Sequence, residues 1–269
     1  MIKFFRKIRQ KLLSEKKFSS YITYAVGEVL LVVIGILLAL QFNNWNQQSS
    51  NQEKEKWYLI NIAEDIEYQK GDLKDLKEDY QLSIKVGKQL LKDYKARGSF
   101  AKIDSLNEKI NILMVADNFP NINNTYQELV NSGQQNLIRN KDLSIDIIDY
   151  FLFCEDNDID FVNNYNNIFY KEIYPVFSSL HQTSLEGIEF KKEEEDYLFF
   201  NDPKMNIYLQ KKLIKPENNL RLLNAVRTNI AIDIFHLEMV NESLEAGLDL
   251  VKKIDAYLGL TQDMVNTYD

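Results

Sequence analysis

Between Ile22 and Phe42 every position but Glu28 is uncharged, and most are aliphatic. At about 1.5 Å per residue, a helix of this length reaches roughly 30 Å, the thickness of a bilayer's hydrocarbon. The pattern predicts a transmembrane helix over residues 22–42. A secretory leader would carry a shorter apolar core and a small-x-small cleavage site. This run instead ends Leu38-Ala39-Leu40-Gln41-Phe42, so we expect an uncleaved anchor.

Past the span the pattern turns to helical time. The polar stretch after Phe42 holds no Gly or Pro, which lets the helix continue outward. Ile66, Leu73, Tyr80, Gly87 and Tyr94 recur at sevens, with Ile62, Leu76 and Leu90 interleaved. Gln69, Ser83 and Gly87 interrupt that apolar row, which suits a bundle seam better than a regular coiled coil. Gly98 is the expected stop.

The C-terminal third repeats more cleanly. Leu223, Ile230, Leu237, Leu244, Val251 and Leu258 stand at sevens. They are flanked by Leu220, Ile234 and Leu248 and by Val226, Val240 and Ile254, predicting one helix from Pro216 to Leu258. Asp202-Pro203 reads as an N-cap and first helical residue of a shorter helix to about Ile214. The run Lys191–Asp196, "KKEEED", reads as a solvated loop.

In the middle, Thr125-Tyr126-Gln127-Glu128 matches a capping box and Gly133 a helix stop. Asn140 is placed to cap a helix running from Lys141 towards Leu180. Phe161, Tyr165 and Phe169 fall at fours along it, then Ile173 and Phe177, a stripe that reads as core. No alternating strand pattern competes. The expected fold is all-α: an N-terminal transmembrane helix followed by a bundle of long antiparallel helices. The expected division is a basic segment 1–21, a span 22–42 and a helical domain 43–269.

Charge changes this picture, because it is segregated. Residues 1–21 carry a net +6, while residues 43–269 carry −13 within the overall −8. An acidic body repels phosphates, which argues against nucleic acid as a partner. A basic flank N-terminal to the span places that end in the cytoplasm and the body in the periplasm of a bacterial inner membrane. Met1, Phe4, Phe5, Ile8 and Leu12 share one helical face, with Lys3, Arg6, Lys7 and Lys11 around it. That pattern suits a helix lying in the bilayer interface; a cytoplasmic docking peptide is the weaker alternative. Lys3, Arg6, Lys7, Arg9 and Trp45 are the candidate interfacial anchors.

Candidate chemistry adds little. Asp156, Asp158 and Asp160 have the opening spacing of a calcium loop, but Phe161 and Asn167 occupy its required Gly and Glu positions. An acidic helical face is the better reading. His181 and His236 fall in no two-histidine zinc motif. Cys154, the single cysteine, reads as a buried thiol, with an interchain disulfide as the alternative. No catalytic, cofactor-binding or metal motif is present, so neither an active site nor a cofactor is expected; an enzyme is the third class, which only an unrecognised pair of carboxylates would support.

Glu28 is the exception that carries information. Charges inside a span are costly and face protein or water. Glu28, Val32, Gly35 and Ala39 fall on one helical face, and Gly35-x-x-x-Ala39 is a small-xxx-small contact pattern. Helix–helix association, with a second copy or another membrane protein, competes with simple snorkelling to the cytoplasmic side. A proton pathway is a remote third, since nothing else in the span ionises.

Three stretches, "MIKFFRKIRQKLLSEKKFSSY", "YAVGEVLLVVIGILLALQFNNWN" and "TYQELVNSGQQNLIRNKDL", resemble a domain-of-unknown-function family of single-pass inner-membrane proteins of Gram-negative bacteria. The resemblance is close over the first 46 residues and good over Thr125–Leu143. It implies an inner-membrane anchor with Glu28 as part of the motif, and it brings no activity. The expected role is a membrane-anchored scaffold or interaction module that self-associates and contacts the lipid bilayer. The alternative is a periplasmic ligand-sensing domain that signals through a membrane partner.

Overall fold

A computed structural model describes residues 18–114, 116–183 and 202–260. Residues 1–17 of the basic segment, with Lys3, Arg6, Lys7 and Arg9, and the run Lys191–Asp196 lie outside the described residues. Helix α1 runs Phe18–Arg97. It ends where Gly98 turns left-handed (φ 72°) and its N–H reaches back to Tyr94 O at 2.8 Å. Then follow α2 (Leu106–Leu113), α3 (Asn124–Asn131), α4 (Lys141–Asn164), a π-helical stretch Tyr165–Ile173, and α5 (Tyr174–Leu180). Helices α6 (Pro203–Leu213) and α7 (Pro216–Leu258) complete the series. Among the described residues there is no strand, and the fold is all-α.

The chain divides into two compact units between Trp57 and Tyr58. In the first, the described residues belong to α1 alone, and none of the residues in its most apolar window is buried. This is the one helix among the described residues long and apolar enough to cross a membrane.

The second unit holds the core, and pairings of named residues give its topology. Ser83 meets Asp233, and a methyl on Gly87 would touch Ile230, while one on Gly247 would touch Ile66. Numbers rise along α1 as they fall along α7, so the two are antiparallel. Asn164 meets His236, Asn157 meets Ser243 and Lys253 pairs with Asp146, so α4 also runs against α7. Tyr150 to Gln69 and Tyr165 to Tyr80 then set α4 parallel to α1. Leu59, Ile62, Leu73, Leu90, Phe151, Phe161, Phe177, Val226, Val240 and Ile254 fill the space between them.

Several local expectations hold. Asn140 accepts from the Asp142 and Leu143 N–H groups, and Asp202 from Lys204, as N-caps should. Others need correction. Helix α3 starts at Asn124, and Thr125 is no cap. Its N–H instead donates to Asp65 Oδ2 on α1 at 2.9 Å, so a carboxylate from another helix caps this end. The segment 141–180 is not one α-helix. Apolar residues at fours advance about 40° per step on a 3.6-residue turn and would spiral off the core. The wider i→i+5 turns of Tyr165–Ile173 bring them back, and Phe161, Tyr165, Phe169, Ile173 and Phe177 are all buried.

Helix α7 gives the other correction. Its apolar sevens run along the margin of the buried face: Ile230 is buried, while Leu237, Leu244 and Val251 are half-buried. Leu220, Ile234 and Leu248 are exposed, whereas Val226, Val240 and Ile254 are fully enclosed. The centre of the face holds Asn229, Asp233, His236 and Ser243, which an apolar periodicity assigns to solvent.

Candidate functional site

Those four residues belong to a polar string threaded through the core. Ser83 Oγ donates to Asp233 Oδ2 at 2.6 Å, and Asn229 Nδ2 donates to the same oxygen at 2.9 Å. One turn on, His236 stacks on Phe161 with ring centroids 3.8 Å apart, and its Nε2 lies 3.1 Å from Asn164 Nδ2. Tyr80 and Tyr165 share a hydrogen bond of 2.7 Å beside it, and the Asp117 N–H donates to the Tyr165 oxygen. Further along, Tyr150 donates to Gln69 Oε1, Gln69 donates to Pro120 O, and Asn157 donates to Ser243. Every interruption noted in the α1 row thus has a function in packing. Gln69 and Ser83 find buried partners, and Gly87 makes room for Ile230.

Burial sets the electrostatics of this string. It pushes the Asp233 carboxyl up to about 6, against a smaller opposing effect of the Ser83 hydrogen bond. It pushes His236 down to about 4, so the imidazole is neutral at pH 7. Burial likewise raises Tyr80, Tyr150 and the Cys154 thiol, and takes Tyr165 to about 12. His236 Nδ1 is buried with no partner among the described residues, an unmet demand in an otherwise satisfied network. His236 is 0% exposed and Asp233 6%, which closes both to any solute. Chemically the string can fix register between three helices; it cannot meet a substrate as it stands. Cys154 is buried and free, and His181 is tied to Phe177 O and Asn111. No group of three metal-binding side chains occurs among the described residues.

Two surfaces remain. Helix α4 turns Leu143, Ile147, Phe151, Cys154 and Phe161 inward, yet its opposite face is also apolar. Ile145, Leu152 and Ile159 are 54%, 50% and 51% exposed, and Val162 is exposed beside them. With half-buried Ile148 they repeat at alternating threes and fours, broken by exposed Glu155. Asp142, Asp149, Asp156 and Asp160 form an exposed row along one side. The acidic face expected at Asp156, Asp158 and Asp160 is therefore, through Asp156 and Asp160, the flank of an apolar stripe. The sequence carried that signal in Ile145, Leu152 and Ile159 at sevens, hidden by the stronger inward pattern. Between α1 and α7 lies an open groove of about 420 Å³, floored by Ile84 and Leu237 and rimmed by Lys85, Lys88 and Lys92.

On the first unit, Glu28, Val32, Gly35 and Ala39 lie on one continuous helix at spacings that keep them on one face. Val32, Gly35 and Ala39 are exposed, and Trp45 is exposed further along the same helix. Residues 28–198, more than half of the chain, match a protein family described as "Family of unknown function (DUF6090)". No curated protein and no solved structure matches it.

Proposed function

The chain belongs to the DUF6090 family of unknown function, and from its surfaces we propose that it is a membrane-anchored helical scaffold, a protein-interaction module without catalytic activity. The outer apolar face of α4 carries this reading. A helix apolar on two opposite faces is the composition of a buried helix, and here one face has no cover within the described residues. The apolar stretch of α1 supports the anchor. The basic head supports an inner-membrane orientation with that head in the cytoplasm and the body in the periplasm. Self-association would run through Glu28, Val32, Gly35 and Ala39 in the span. The test is the mass of the native assembly extracted in mild detergent. A multimer or a stable complex with another membrane protein fits; a lone chain at every concentration removes the reading.

The groove supports a second reading, a sensing domain. Three lysines without ion pairs among the described residues, over an apolar floor, on a body this acidic, would admit an anionic ligand. With the basic head inside the cell, such a signal would pass through a partner's membrane helix.

A further inference from the structure

We propose that the outer face of α4 is a docking seam for a basic amphipathic helix of a different protein; this rests on the interaction-module reading above. Numbering the stripe as a coiled-coil repeat puts Ile145, Leu152 and Ile159 at one core position. Ile148, Glu155 and Val162 then take the other. Six successive core positions span nearly the whole of α4, and five are apolar. This is the width and period of a helix-binding seam, not of scattered surface leucines.

Charge selects the occupant. Asp142, Asp149, Asp156 and Asp160 line one flank, all exposed, and none makes an ion pair among the described residues. Asp146 is excluded from the row because Lys253 holds it at 2.9 Å. A second copy fits poorly in either direction. Paired in parallel, two Glu155 carboxylates would share one core layer. Paired antiparallel, the aspartate row would lie against its own duplicate. Like charges facing each other across a seam oppose association. A partner helix with apolar residues at threes and fours, lysine or arginine along its flank, and a cation opposite Glu155 meets every feature of the face. Glu155 then fixes register, as a single polar core residue does in coiled coils, and rejects partners that lack the matching cation.

The test uses the full-length chain in a non-ionic detergent and a synthetic peptide of three heptads. The peptide carries Leu and Ile at core positions, Lys at the flanks and Lys in the layer opposite Glu155. A second peptide has the same composition with the periodicity scrambled. Fluorescence anisotropy should show the patterned peptide binding at least tenfold more tightly than the scrambled one. Leu152→Asp or Ile159→Asp should remove that preference, while the thermal transition stays put because both side chains are half exposed. Glu155→Lys should also remove it, and a peptide with Glu in the central layer should restore binding to that variant only. Equal binding of patterned and scrambled peptides would reduce the effect to bulk charge and overturn the proposal. A multimer of the parent that Leu152→Asp dissociates would overturn it too, in favour of a second copy at the seam. A native assembly that survives Leu152→Asp, with no peptide preference, sinks the seam and leaves the scaffold reading standing.

Discussion

Ser83 and Asp233 lie 150 positions apart and meet at 2.6 Å in the core, hydroxyl to carboxyl oxygen. Each explains the other. A serine in an apolar row and an aspartate on a buried face are both costly alone, and together they fix how α1 sits against α7. Ser83→Ala removes one of two donors to a buried carboxyl oxygen, leaving Asn229, and should destabilise the body by about 1–3 kcal/mol. Denaturant midpoints measure this; an unchanged midpoint would show that the contact does not form.

The same string gives a pH signature. Asp233 is raised from 3.8 to about 6, so in that window the folded chain keeps a proton the unfolded chain has released. Its contribution favours folding at low pH and is lost as pH rises through 6. His236, lowered from 6.5 to about 4, acts in the opposite sense. The unfolded chain takes up a proton that the folded chain refuses, so stability grows as pH rises from 4 to 6.5. The two slopes offset each other in the parent. Relative to it, Asp233→Asn should gain stability with rising pH across this window, and His236→Gln should lose it. Urea melts at pH 4.5, 5.5 and 6.5 read both slopes, and parallel curves for all three proteins would refute the assignment.

Gly87 and Ile230 form a size-matched pair. A Cβ on Gly87 would stand 2.7 Å from Ile230 Cγ1 and 2.9 Å from Cδ1. Gly87→Ala should therefore cost about 1–3 kcal/mol through overpacking, despite its better helix propensity. Ile230→Ala removes both clashing atoms, so the double variant should be more stable than the sum of the single effects allows. A double-mutant cycle with zero coupling would contradict the close approach.

At the centre of α7, Val240 is fully enclosed, so Val240→Asp should abolish the cooperative melting transition by burying an unpaired charge. Glu245→Ala, on the exposed face, should leave that transition within about 0.5 kcal/mol of the parent. If the aspartate variant melts like the parent, α7 is turned the wrong way.

On the proposed self-association through the Glu28 face, Glu28→Gln should retain it and Glu28→Leu weaken it, since an intramembrane hydrogen bond contributes on the order of 1 kcal/mol. Gly35→Leu should weaken it further, by bulk at the close-approach position. An association assay on residues 18–48 separates the outcomes; equal association by all variants removes Glu28 from any self-contact.

The element boundaries were written locally. Gly98, Gly133, Asn140, Asp202 and Pro216 each act on backbone within a turn, and each marks its helix end in the structure. The polar string was not legible, because the partners that make Gln69, Ser83 and His236 inward-facing lie 51 to 150 positions away. Periodicity read α7 by its apolar margin for the same reason. The π-helical stretch left a trace in the spacing of fours, but a stripe of aromatics does not say which turn geometry keeps it straight. Glu28 and its face were legible as a pattern, whereas the second face of α4 became visible only once its inward face was known.

The antiparallel pairing of α1 with α7 has a consequence for the order in which the body can fold. Leu59 to Leu90 on α1 are made early and obtain their α7 partners only when Pro216–Leu258 has been synthesised. Until then Ser83 lacks Asp233 and Tyr80 lacks His236, and the inward face of α4 has nothing to close against on its α7 side. Such contacts, far apart in sequence, come at a high loop-closure entropy and form late. A chain synthesised N-terminus first therefore passes through an open stage, in which the apolar faces of α1 and α4 are made before α7 closes them. Over that interval the unclosed apolar faces are the part of the body most exposed to aggregation.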